Sequence, residues 1–122
     1  MKRILYVEDD LINALVMEKL LKERFLITHV NNGESCLATL ARESFDLVLM
    51  DINLGPGRMT GVEALQAIRR GPATAGIPVV AITGYAFAHD EERFLKEGFT
   101  GYIRKPLDWR ALPEKIDQYF AR

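Results

Sequence analysis

A doubly wound α/β fold, a parallel sheet covered by helices on both faces, is predicted by three observations. Short apolar runs such as Ile4–Val7, Leu47–Met50 and Val79–Ile82 recur along the chain; runs of this length read as strands buried on both faces. Amphipathic stretches of helical length separate them. That alternation calls for parallel pairing through right-handed crossovers. The apolar runs also end in polar or charged residues, where open α/β sheets carry their ligand crevice.

Strand one is Ile4–Val7, and Glu8, Asp9 and Asp10 follow it. Helix one has apolar residues at 12, 15, 16 and 20, a stripe expected to face the core, with Asp9 or Asp10 as its cap. Phe25–Val30 is strand two, closed by the turn signal Asn31-Asn32-Gly33. Helix two puts Cys36, Leu37, Leu40 and Ala41 on one face. Strand three runs from Leu47 to Met50 straight into Asp51. Gly55-Pro56-Gly57-Arg58 is a loop. Val62, Leu65 and Ile68 mark helix three, broken at Gly71-Pro72. Pro78–Thr83 is strand four. Helix four covers Ala88–Glu97, with Gly98 as its C-cap. Gly101–Lys105 is strand five, ended by Pro106. Leu107–Phe120 is helix five, capped by Asp108, with Leu112, Ile116, Tyr119 and Phe120 turned inward.

Five strands alternating with five helices predict a single flavodoxin-like (βα)5 domain over residues 1–122, with strand order 2-1-3-4-5. The length of 122 residues suits one core. The net charge of −1 gives no general attraction to nucleic acid or to an anionic membrane. No apolar run reaches the roughly 20 residues needed to span a bilayer. The lone Cys36 forms no internal disulfide and suits a reducing cytoplasm.

The crevice in that order falls between strands one and three. Strand one delivers Glu8 and Asp9, strand three Asp51, strand four Thr83 and strand five Lys105. Three carboxylates at one edge repel unless a cation lies among them. Hard oxygen ligands suit Mg²⁺, and the backbone carbonyl of Asn53 is a further candidate oxygen. An ammonium and a hydroxyl opposite a carboxylate suit a transferring phosphoryl group. Asp51 would be its nucleophile, Lys105 would neutralise its oxygens and Thr83 would donate to it.

Leu5-Tyr6-Val7-Glu8-Asp9-Asp10, Leu47–Asn53, Ile82-Thr83-Gly84 and Tyr102–Leu107 together resemble the signature blocks of the response-regulator receiver domain of two-component and phosphorelay signalling. The likeness covers nearly the whole chain, in order. It implies phosphorylation of Asp51 by a histidine kinase or histidine phosphotransfer protein, and a downstream protein target. It implies direct ligation of Mg²⁺ by Asp9 and Asp51, with Glu8 acting through water. It assigns Thr83 and Tyr102 to a switch that reshapes the face of helix four, strand five and helix five, where homodimers can form. It also implies a cis Lys105–Pro106 bond. The loop Leu54–Gly61 departs from the family pattern in length and glycine content. The likeness sets Tyr85 and Asn53 beside the path of a hydrolytic water, where the large ring of Tyr85 would shield the acyl phosphate.

Other readings fit less well. A haloacid-dehalogenase-type hydrolase wants an acid where Asn53 stands. A flavin carrier wants a phosphate loop where Glu8-Asp9-Asp10 stand. No Walker loop occurs. A receiver-like binding module without phosphorylation, or the receiver of a hybrid histidine kinase, keeps the fold. With no DNA-binding element after Arg122, direct contact with nucleic acid is not expected, and the start at Met1 suits a stand-alone or N-terminal receiver. His29 and His89 carry no expected role, and the pair Arg69-Arg70 is expected to be a solvated helix end favourable to the helix dipole. Trp109 either packs at the start of helix five or stays open to a partner.

Overall fold

The computed structural model describes residues 1–52, 59–84 and 88–120, with the side chains of 88–91 left aside. Five parallel strands, β1 (Arg3–Val7), β2 (Leu26–Val30), β3 (Leu47–Asp51), β4 (Val79–Thr83) and β5 (Gly101–Arg104), lie in the order β2-β1-β3-β4-β5. They alternate with α1 (Leu11–Leu21), α2 (Gly33–Arg42), α3 (Gly61–Arg70), α4 (Ala88–Glu97) and α5 (Leu112–Asp117). This is the order expected from the sequence. The register sets Val7 beside Met50 and Asp51 beside Ile82, so β1, β3 and β4 end together.

Alternation along the central strands divides the core between two faces of the sheet. Ile4, Tyr6, Leu47, Leu49, Val80 and Ile82 pack in one cluster, which α1 and α5 complete through Met17, Leu21, Leu112 and Ile116. Leu5, Val7, Val48, Met50 and Ala81 pack in the other, which includes Cys36, Leu65, Ile68 and Phe94 from α2, α3 and α4. Every residue of β3 and β4 is buried.

Helix ends follow local chemistry. Asp10, not Asp9, caps α1 by accepting from the backbone N–H of Asn13 at 3.0 Å. Thr60 and Glu63 form a reciprocal capping box at the start of α3. Gly98 has φ of 112° just beyond α4, a left-handed conformation that glycine adopts without strain. At Gly101 a Cβ would overlap the Tyr119 ring, so only glycine lets that ring lie against β5.

Four expectations need correction. In α1 the buried residues are Ala14, Met17 and Leu21, whereas Ile12, Leu15, Val16 and Leu20 are exposed. Apolar residues occur almost all round this helix, so periodicity does not select a face; the small Ala14 and flexible Met17 meet the sheet. In α2, Ala41 is exposed and Thr39 is buried with Cys36. The fifth helix is shorter than expected. It begins after Ala111, with Pro113 in its first turn, and Asp108 accepts from the Arg110 backbone N–H rather than capping it. Arg69 is no solvated helix end. Its guanidinium donates to the carbonyls of Gly98, Ala75 and Ile77, tying the end of α3 to the segments that enter β4 and leave α4. Burial moves its pKa downward.

The corrected face of α1 has a measurable consequence. Met17→Ala should cost about 2–4 kcal/mol in urea unfolding, as truncation in a packed core does. Leu15→Ala should stay within about 0.5 kcal/mol of the parent chain.

Candidate functional site

The strand ends bring together most of the residues that the sequence singled out. Glu8 and Asp51 are 1% and 3% exposed, and Asp9 is exposed beside them. One carboxylate oxygen from each of Glu8, Asp9 and Asp51 lies within 4.8 Å of the others. Lys105 follows β5 directly. Its Nζ donates to Asp51 Oδ2 at 3.0 Å. Its backbone N–H donates to the Thr83 carbonyl at 2.8 Å, which ties the Lys105 segment to the end of β4. The Lys105–Pro106 peptide bond is cis. Thr83 is buried at the end of β4. Asn53, most of the loop from Leu54 to Gly61, and Tyr85 lie outside the described residues, as does the side chain of His89.

Electrostatics explain what this cluster lacks. Two carboxylates at 4.8 Å repel by roughly 3 kcal/mol at an effective dielectric of about 20. Lys105 offsets one negative charge of the three. The remaining two match a divalent cation. Without one, Glu8 holds a proton: burial first, then hydrogen bonding to Asp51 and its charge, push the Glu8 pKa up to about 8, with Lys105 opposing. Among the described residues, Glu8 Oε2 is buried with no hydrogen-bond partner. An orphaned carboxylate oxygen beside two further acids fits a hard, oxygen-seeking cation. The Tyr6 hydroxyl donates to Glu8 Oε1 at 3.4 Å, and burial followed by the charges of Glu8 and Asp51 raises its pKa.

The surroundings are asymmetric. A hollow of about 300 Å³ lies between α1 and the segment after β5, lined by Glu8, Asn13, Met17, Lys105, Leu107 and the half-exposed Trp109. Tyr102 is half-buried on β5, its ring centroid 6.2 Å from that of Phe94. The Tyr119 hydroxyl approaches the Tyr102 carbonyl at 3.5 Å.

Sequence reasoning missed two neighbours. His29 donates through Nε2 to the Glu8 backbone carbonyl at 2.7 Å. Tyr6 in β1 is the other: it stands two residues before Glu8, and the extended two-residue period sets both side chains on the same face.

The chain belongs to the response regulator receiver domain family, whose model matches residues 4–117. Receiver domains are signalling modules of two-component systems rather than turnover enzymes. The sensor protein GacS of Pseudomonas syringae pv. syringae is 34% identical over 118 residues, covering 93% of this chain and 13% of GacS. The chain thus spans a small part of the curated relatives it first matches. The receiver domain of sensor histidine kinase PA1611 from Pseudomonas aeruginosa PAO1, solved with a magnesium ion in its active-site cleft, superposes with TM-score 0.85. It is 29% identical, over 97% of this chain and 96% of that one. The chemotaxis response regulator CheY4 of Vibrio cholerae, 22% identical, shares the fold with TM-score 0.89 over 98% of this chain and 99% of that one.

The protonated Glu8 predicts a pH dependence in metal-free buffer. Its folded pKa lies above the ordinary glutamate value of about 4.5, so the native state binds the extra proton between pH 4.5 and about 8. Stability should therefore fall as pH rises through that window. Glu8→Gln should flatten the fall, read from urea midpoints across the range.

Proposed function

We propose that Asp51 is the phosphoacceptor of a two-component or phosphorelay system. Its donor is the phosphohistidine of a histidine kinase or histidine phosphotransfer protein. The observation that carries this reading is the Lys105–Asp51 pair at 3.0 Å inside a three-acid cluster at the sheet's carboxyl edge. A binding module with no phosphorylation would have no need to bury these charges together.

An Asp51 carboxylate oxygen attacks phosphorus while the donor's N–P bond breaks. The electron pair of that bond returns to the imidazole, and the product is an aspartyl phosphate. Lys105, already at the Asp51 carboxylate, neutralises phosphoryl oxygens, and the Thr83 hydroxyl is the donor assigned to another. Glu8, Asp9, Asp51 and the backbone carbonyl of Asn53 are the residues that would hold Mg²⁺. When bound, it supplies the positive charge that the cluster lacks.

After transfer, the new dianion favours an arrangement in which Thr83 and Tyr102 shift toward the site. The face built by α4, β5 and α5 then presents a changed surface to a protein target. Arg93, Arg104, Asp108 and Arg110 lie on or beside that face, and their mixed charge permits a homodimer there. Nucleic acid and membrane are not among the proposed partners. Among the described residues no helix is long and apolar enough to cross a membrane. We assign one domain to residues 1–122 and place the exchange in the cytoplasm, in keeping with the lone, buried Cys36. Identity of 34% to a sensor protein supports a second setting for the same chemistry, the receiver module of a hybrid histidine kinase.

Incubation with Mg²⁺ and acetyl phosphate tests this reading by intact mass. The parent chain should gain one hydroxylamine-labile phosphoryl group, and Asp51→Asn should gain none. Lys105→Ala should label far more slowly. An adduct that persists in Asp51→Asn, or forms equally in excess chelator, would count against the reading.

A further inference from the structure

Glu8 is held at three points by groups outside the acid cluster. Its backbone N–H donates to the Val30 carbonyl of β2 at 3.0 Å. Its carbonyl accepts from His29 Nε2 at 2.7 Å. The Tyr6 hydroxyl donates to its carboxylate Oε1 at 3.4 Å. With Oε1 engaged, Oε2 is the oxygen left without a partner among the described residues. We propose that Tyr6 is a positioning residue for the cation site: its hydroxyl holds the Glu8 carboxylate still, and so sets the preference of the site for Mg²⁺ over Ca²⁺.

Tyr6 can serve as a fixed point because its ring is locked in the core. It is 2% exposed and packs in the cluster with Met17, Leu49 and Ile82. Its register partner on β2 is His29, whose ring centroid lies 6.0 Å away. A tyrosine turns about only two side-chain torsions, so packing of the ring also fixes the hydroxyl. A phenylalanine would fill the same space with no polar atom to bury. The hydroxyl therefore costs the core stability unless it is bonded, and its bond falls on Glu8.

Glu8 needs such a hold. Asp51 is already fixed by Lys105 Nζ at 3.0 Å, and a glutamate has one torsion more than an aspartate. Asn13 of α1, which lines the same hollow as Tyr6 and Glu8, also favours the charged carboxylate. Mg²⁺ demands near-octahedral oxygens at about 2.0–2.1 Å, whereas Ca²⁺ accepts looser arrangements at about 2.3–2.6 Å. A carboxylate held still suits the ion with the stricter geometry; one that wanders suits the tolerant ion. This inference rests on the cation reading of the acid cluster, and Tyr6 acts there through Glu8.

Calorimetric titrations of the parent chain and of Tyr6→Phe, with Mg²⁺ and with Ca²⁺, test it. Tyr6→Phe should weaken Mg²⁺ binding by about three- to tenfold, as loss of one hydrogen bond to a carboxylate does, and Ca²⁺ binding by less than about twofold. The ratio of the two affinities isolates geometry, because a change in packing or in the Glu8 proton shifts both cations alike. Urea midpoints in metal-free buffer report that the variant stays folded. In a Glu8→Ala background, Tyr6→Phe should leave the ratio unchanged, since the group it positions is gone. An unchanged ratio in Tyr6→Phe, or an equal fall in the Glu8→Ala background, would overturn the inference and leave the cation reading intact. A parent chain that binds neither cation would overturn both.

Discussion

Three carboxylates share one rim of a sheet, and among the described residues one ammonium answers them. That imbalance shapes the rest of the structure. Glu8, Asp9 and Asp51 come within 4.8 Å because β1 and β3 are neighbours ending at the same level. Lys105 reaches Asp51 because the hydrogen bond from its backbone N–H to the Thr83 carbonyl fixes the end of β5 beside the end of β4. Folding energy comes from the apolar strands and their covering helices; the rim costs part of it. A protein that only needed this fold could do without such a cluster.

The cluster has two ways to lower its charge. Glu8 can take a proton, as its burial and its contact with Asp51 favour. Alternatively a divalent cation can be held among the three acids, which restores Glu8 to its charged form. The second state suits phosphoryl transfer, in which positioning and charge compensation carry most of the catalysis. Asp9 is the exposed member of the cluster, while Asp51 is buried against Lys105. The same rim therefore links a stability term to a chemical one.

Much of this was legible in the sequence. The strands show as uninterrupted apolar runs because both faces of a central parallel sheet are covered, and the residues that end them were found together where expected. Glu8, Asp9, Asp51 and Lys105 come together from three distant segments because topology, not local pattern, assembles them. What was not legible has physical causes. Apolar residues surround α1 on nearly every side, so which side meets the sheet depends on the fit of Ala14 and Met17. Arg69 looks like any basic residue at a helix end; only tertiary structure brings three carbonyls to its guanidinium. Pro113 delays α5 by several residues beyond where Asp108 offered a cap. The hydrogen bond of Tyr6 to Glu8 follows from the two-residue period of β1 but carries no sequence signature of its own.

The central claim is that the three acids form one cation site. Calorimetric titration with Mg²⁺ of the parent chain and of Asp9→Asn tests it most directly. Removing the exposed acid should weaken binding by about tenfold or more while leaving the fold intact. Equal affinity for Mg²⁺ in the two chains, or no binding to either, would contradict the account.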